Sequence, residues 1–260
     1  MEYRNRTALI TGASSGIGAE FARVLGQRGA DLVLVARSRD RLDSLAQEVR
    51  SAHGVRADVV VADLSLPRAS DDLVASVAAL GVEVDILINN AGFGTHGALA
   101  DADPARIRDE VSLNVGALTD LTTAYLPQMT RRGAGVIVNV ASTAGFQPVP
   151  QMAVYAATKA YVLSLSEALW WEGKKNGVSV LALCPGPTDT EFFEIVGTDD
   201  AAVGARRTAA QVVETALRGL DRGAPSVVDG LANRISAVSS RFAPRRVVLA
   251  IAARAVGASK

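Results

Sequence analysis

Residues 7–37 read TALITGASSGIGAEFARVLGQRGADLVLVAR. A short apolar run, a glycine-rich turn, a helical segment and a second apolar run follow one another. That order reads as strand, turn, helix, strand. Gly12, Gly16 and Gly18 are free to adopt backbone angles closed to other residues and let the chain approach a ligand closely. The helix starting near Ile17 then points its free N–H groups at whatever occupies the turn, which favours a pyrophosphate. The spacing is G-x-x-x-G-x-G rather than the commoner G-x-G-x-x-G. Flanked by strand and helix as it is, the turn reads as a nucleotide site built from Gly12, Ser14, Ser15, Gly16, Ile17 and Gly18, not merely as a helix packed on a strand.

The second strand ends at Ala36, where an acidic residue would hold a ribose 2′-hydroxyl, and Arg37 follows. A planar guanidinium suits the 2′-phosphate of NADP, and Ser38 adds a hydroxyl. The expected cofactor is therefore NADP(H) in preference to NAD.

Working outward, the same alternation recurs. Apolar runs at 7–11, 31–36, 57–62, 84–88, 135–140 and 178–183 are short and rich in Val, Ile and Leu, which suits strands buried on both faces. A seventh strand is expected at Ser226–Val228. Helical patterns separate them; Leu42, Leu45, Ala46 and Val49 fall at i, i+3, i+4 and i+7. Repeated βαβ units predict an α/β fold, a doubly wound parallel sheet with right-handed crossovers. No linker or repeat divides the chain. The expectation is one domain over 1–230 and a C-terminal helical extension over 231–260 that packs on it.

The composition narrows the function. The 260 residues are 49% hydrophobic and 21% charged with zero net charge, so the chain has a large core and no nucleic-acid signature. Cys184 is the single cysteine and sits in an apolar run, which reads as a buried thiol. His53 and His96 are far apart, so no metal site is expected. The first apolar run stops at Thr11-Gly12, too short for a signal peptide, and a cytoplasmic location is expected. The tail is different: residues 231–260 hold six basic and no acidic residues. Arginines flank VVLAIAA there, but they form no clean helical face. A helix covering the pocket or a subunit interface is preferred over membrane association.

Several motifs occur in order: TGASSGIG at 11–18, DL at 63–64, NNAG at 89–92, Asn114 in LNVGA, Ser142 in NVASTAG, YAATK at 155–159 and PGPTDT at 185–190. Together they resemble the short-chain dehydrogenase/reductase family over roughly residues 5–190, within it most like NADP-dependent ketoacyl and hydroxysteroid carbonyl reductases. The resemblance implies a Rossmann-type domain with seven parallel strands. It implies cofactor contacts from Asp63 and Leu64 to adenine, from Asn90, Ala91 and Gly92 to the ribose side, and from Pro185, Gly186 and Thr188 to the carboxamide or phosphate region. It also implies a catalytic tetrad of Asn114, Ser142, Tyr155 and Lys159, with Tyr155 and Lys159 touching the cofactor as well, and Asn114 holding a water that links Lys159 to solvent.

The residues make chemical sense of that set. Hydride transfer to a carbonyl leaves negative charge on oxygen, which needs a proton and a hydrogen-bond donor. Tyr155 and Lys159 are one helical turn apart on one face. A neighbouring cation should lower the phenol's pKa from about 10. Ser142 follows the fifth strand, at the carboxyl edge where such sheets bind ligands, and would orient the substrate oxygen. The helix over 152–175 is apolar nearly all round, which calls for cover from the sheet and from a second subunit, as a homodimer or homotetramer.

Phe93, Phe146, Met152, Phe192 and Phe193 are expected to line an apolar substrate pocket, with Glu191, Glu194, Asp199 and Asp200 on the wet face of a lid. The expected function is NADPH-dependent reduction of a hydrophobic ketone or aldehyde, 3-ketoacyl or steroid-like, to an alcohol. The alternative is an NADP(H)-sensing binding protein without turnover, against which the four intact catalytic residues argue.

Overall fold

The computed structural model describes residues 2–198, 206–240 and 242–257. Asp199 and Asp200 lie outside the described residues. In chain order the elements are β1 (Thr7–Thr11), α1 (Gly16–Gln27), β2 (Asp31–Ala36), α2 (Arg39–His53), β3 (Ala57–Val61), α3 (Ala69–Ala79), β4 (Ile86–Asn89), α4 (Pro104–Val111), α5 (Leu118–Arg132), β5 (Gly135–Val140), α6 (Ala153–Gly173), β6 (Val178–Cys184), α7 (Phe192–Val196), α8 (Ala209–Asp221), β7 (Ser226–Val228), α9 (Leu231–Ser239) and α10 (Arg245–Ala255).

The seven strands form one sheet in the order β3-β2-β1-β4-β5-β6-β7. Every neighbouring pair is parallel. The architecture is the Rossmann-type, doubly wound sheet expected from the apolar runs. Strand residues alternate between two cores. Ala8, Ile10, Leu32, Leu34, Ile86 and Ile88 pack with Phe21, Leu25 and Leu45 on the side of α1, α2 and α8. Leu9, Val33, Val35, Leu87 and Ile137 pack with Leu73, Val77, Leu121 and Tyr125 on the side of α3 and α5. Both faces of the central strands are buried, which is why those strands read as continuous apolar runs rather than alternating ones.

β4 starts two residues later than its apolar run. Asp85 precedes it and ties the edge of β1, its carboxylate accepting from Thr7 N at 2.9 Å.

The strand order reverses between β1 and β4, and a ligand crevice opens there at the carboxyl ends. Side chains hold this seam. The Thr11 hydroxyl accepts from the N–H groups of Asn90 and Ala91, both at 3.0 Å, and donates to Ile88 O at 3.3 Å. The Asn90 amide donates to Thr11 O at 2.9 Å and Gly12 O at 3.2 Å. Gly12 has φ +64°, and a Cβ on Gly18 would lie 2.2 Å from Gly12 O, so the first turn closes only with glycine at both places.

A second anchor fixes the far wall of the crevice. Asp229, fully buried after β7, accepts from Arg207 Nε at 2.9 Å, Arg207 Nη2 at 3.2 Å and Thr215 Oγ1 at 2.6 Å. Arg207 in turn pairs through its backbone with Pro187 O at 2.9 Å and Asp189 N at 2.8 Å. One carboxylate thus ties α8, β7 and the segment after β6 together. Asp229→Ala removes charge-assisted hydrogen bonds but leaves Arg207 partly open to water, so the expected loss is about 2 kcal/mol. Urea unfolding checks this; an unchanged midpoint would sink it.

Candidate active site

The crevice opens into a cleft of about 1110 Å³. It runs from Arg37, Ser38, Asp63 and Leu64 at one end, past Ser14, Ser15, Gly16 and Ile17, to Ser142, Tyr155 and Lys159. Asn90, Ala91, Gly92, Pro185, Gly186 and Thr188 complete that wall. Gly18 is beneath the wall, packed on Gly12 and Asn90.

The donor set suits a phosphorylated ligand. Ser15 caps α1 without a side-chain hydrogen bond, and the first turn carries no acidic residue. Its leading N–H groups therefore have no intrahelical partner and favour an anion. Arg37 extends from the end of β2, 73% exposed, with Nη1 3.9 Å from Asp63 Oδ2. Asp63 is itself fixed by Ser65, whose hydroxyl donates to Oδ1 at 2.7 Å.

At the other end, α6 presents Tyr155 and Lys159, 8% and 5% exposed. Lys159 Nζ donates to Val140 O at 2.8 Å and lies 5.7 Å from the centre of the Tyr155 ring. Burial pushes the Tyr155 phenol up to about 12; the Ser142 hydroxyl pulls it down and Glu110 adds to the rise. Burial draws Lys159 down to about 8. The sequence led us to expect the ammonium to lower the phenol's pKa. In this structure desolvation dominates, because Lys159 lies over the ring and spends a donor on Val140 O.

Asn114 is buried off the cleft wall, in a π-turn over Ser112–Ala117. Its amide donates to Phe93 O at 2.8 Å and Thr158 Oγ1 at 3.1 Å, and its oxygen accepts from Phe93 N at 3.1 Å. Thr158 Oγ1 donates to Tyr155 O at 2.7 Å. The Asn114 side chain thus fixes the first turn of α6 to the segment after β4.

Of the expected pocket residues, Phe93, Met152, Phe192 and Phe193 line the cleft. Phe146 does not: the 3-10 turn Thr143–Phe146 sets its ring against the cluster of Leu118, Ala141, Val162 and Leu163. Tyr155 and Phe192 have ring centres 5.4 Å apart. Val149, Met152, Val196 and Val256 pack around them. Cys184 is fully buried and its thiol is pushed up to about 12 by burial, so it stays neutral.

Three charged residues escaped the sequence reading. Arg106 donates to Ile195 O at 2.9 Å and Gly94 O at 3.2 Å, strapping α7 to the segment after β4. Arg41 grips both oxygens of Glu191 at 2.8 and 2.7 Å, joining α2 to the loop before α7. Glu110 is fully buried on α4, and neither carboxyl oxygen has a hydrogen-bond partner among the described residues. Thr95 is near enough to act on it but falls short of hydrogen-bond geometry. The only sequence signal for Glu110 was its place one turn before Asn114.

The short chain dehydrogenase family profile matches residues 6–201. The chain belongs to the short-chain dehydrogenase family. A short-chain dehydrogenase from Sphingobium yanoikuyae, solved in complex with NADPH, superposes with a TM-score of 0.83 at 38% identity over 91% of this chain and 93% of that one. The bulky-bulky ketone specific alcohol dehydrogenase from Comamonas testosteroni gives a TM-score of 0.78 at 36% identity over 91% and 92%. The very-long-chain 3-oxoacyl-CoA reductase of Mus musculus is 32% identical over 193 residues, 72% of this chain and 61% of that protein. As a member of this family the chain is an oxidoreductase acting on carbonyl or hydroxyl groups with a nicotinamide cofactor.

Burial raises Glu110's carboxyl above its ordinary value. The native state therefore holds that proton to a higher pH than the unfolded chain does. Its stability is complete below the unfolded pKa of about 4.3 and falls as pH rises from there towards the raised native value. Glu110→Gln removes the loss, so its melting temperature should exceed that of the parent at about pH 8 and match it near pH 4. A lower melting temperature at the alkaline end would overturn this.

Proposed function

We propose that the protein reduces a bulky, uncharged ketone or aldehyde to an alcohol with NADPH. The observation that carries the reading is the buried Tyr155 phenol, beside Ser142 and Lys159, in one cleft with Phe192, Met152 and Val149. Proton chemistry and an apolar wall meet at one point. The Comamonas and mouse relatives, named for a bulky ketone and a long-chain 3-oxoacyl substrate, support a substrate of this class.

Bound NADPH supplies the hydride to the carbonyl carbon. Tyr155 is the proton donor. A phenol pushed up to about 12 is neutral at pH 7 and so carries the proton that a developing alkoxide needs. Ser142 holds the carbonyl oxygen beside it. Lys159 gives one donor to Val140 O and has two left for ribose hydroxyls. One turn from Tyr155, it also holds a proton that can replace the one given up. Arg37, with Ser38, would hold the 2′-phosphate, and Asp63 and Leu64 would hold the adenine end.

The outer face of α6 leaves Tyr161 41% and Trp171 66% exposed. An apolar helix face of this kind supports a homo-oligomer, with a second copy covering it.

With NADPH and a panel of bulky ketones, Tyr155→Phe should lower kcat by on the order of 10²–10⁴-fold. Fluorescence titration should show NADPH binding retained. Near-normal turnover would remove Tyr155 as the donor. Arg37→Asp should raise the Kd for NADPH by on the order of tenfold or more and leave NADH nearly unchanged. Equal effects on both cofactors would refute the 2′-phosphate role.

A further inference from the structure

The two C-terminal helices have faces of different kinds. Val248, Ala252 and Val256 are buried on the inner side and line the cleft. The outer side is apolar and exposed: Leu231 74%, Ile235 61%, Phe242 85% and Val247 47%, with Ile251, 61% exposed, at the rim of the cleft. Leu231 and Ile235 are one turn apart on α9, and Val247 and Ile251 one turn apart on α10, so each helix presents a stripe rather than scattered residues. Arg234, Arg245, Arg246 and Arg254 share the exposed side, and none makes an ion pair among the described residues. From Leu231 onward the sequence has no acidic residue.

We propose that this face docks on an anionic lipid surface, with α9 and α10 lying in the plane of the headgroups. The charge pattern selects this occupant. Exposed Phe, Leu and Ile enter the headgroup boundary while arginines meet lipid phosphates. A second copy fits less well. A two-fold contact sets the same patch against itself, and here it would press arginine against arginine with no carboxylate between them. Among the described residues no helix is long and apolar enough to cross a membrane, so the helices lie on the surface rather than span it. Because the other side of the same helices walls the cleft, docking puts that wall against the lipid.

Flotation of the full chain with vesicles tests this independently of turnover. Vesicles of phosphatidylcholine with one third phosphatidylglycerol should carry the protein, and vesicles of phosphatidylcholine alone should carry several-fold less. Phe242→Ser with Ile235→Ser, and separately Arg245→Glu with Arg246→Glu, should each reduce the bound fraction at least about fivefold. These side chains are exposed and outside the cleft lining, so melting temperature and turnover of a water-soluble ketone should hold. Trp171→Ser, on α6, should leave vesicle binding unchanged. No binding to the anionic vesicles would overturn the proposal, as would equal binding by both double variants. A wild-type oligomer in solution that Phe242→Ser dissolves, without vesicle binding, would assign the face to a second copy instead.

Discussion

The site depends on how Asn139 holds α6 to the sheet. Asn139 is fully buried on β5, paired in register with Asn89 on β4. Its oxygen accepts from the Asn89 amide at 2.9 Å, and its own amide donates to Ser166 Oγ on α6 at 3.0 Å. Asn89 also donates to Thr122 Oγ1 on α5 at 3.1 Å. Two strands and two helices are thus pinned by directional bonds in a region otherwise held by apolar contact. Apolar contact alone lets a helix slide or turn at little cost; buried polar groups do not, because a displaced partner stays unpaired. With Ser166 fixed, Lys159 and Tyr155 are fixed two and three turns earlier on the same helix. Asn114 and Thr158 then hold the first turn from the other side.

That rigidity accompanies the site's second constraint, burial. Tyr155 and Lys159 sit where neighbouring side chains want to be dry. Desolvation disfavours the charged form of each, so the phenol is pushed up and the ammonium down. The two shifts move the pair towards neutrality together. A neutral phenol is the form that gives a proton away, and a lysine near 8 exchanges one readily at neutral pH. The apolar helix that looked at odds with an ionisable pair sets its protonation state.

How much was legible in the sequence follows from the range of the forces involved. Strands buried on both faces are written in consecutive residues, and the seven runs from Thr7–Thr11 to Ser226–Val228 could be read with small shifts at their ends. The glycine turn was legible because its backbone angles exclude other residues. The raised pKa of the Tyr155 phenol was not: the spacing pointed to a lowering by Lys159, but it shows only that two groups share a face, not that both are dry or that the ammonium reaches Val140 O. Phe146 was read as a pocket residue from its neighbours, yet a 3-10 turn set its ring on another cluster. Arg41 with Glu191, 150 positions apart, and Asp229 with Arg207 were invisible for a different reason. A charge far along the chain carries no mark of its partner until the fold brings them together.

The cleft also divides between a part that the family match covers and a part beyond it. The family match ends at residue 201, and every group proposed for hydride and proton transfer lies within it. The wall formed by Asn233, Ser236, Val248, Ala252 and Val256 lies beyond it. Chemistry at a carbonyl demands a fixed phenol, a fixed cation and a fixed cofactor, and tolerates little change. Selection among ketones demands only that the opposite wall fit one apolar group better than another, and each methylene there shifts preference by roughly 1–3 kcal/mol. The apolar wall therefore has two sources: Met152, Phe192 and Phe193 lie within the family match, and Val248, Ala252 and Val256 lie beyond it.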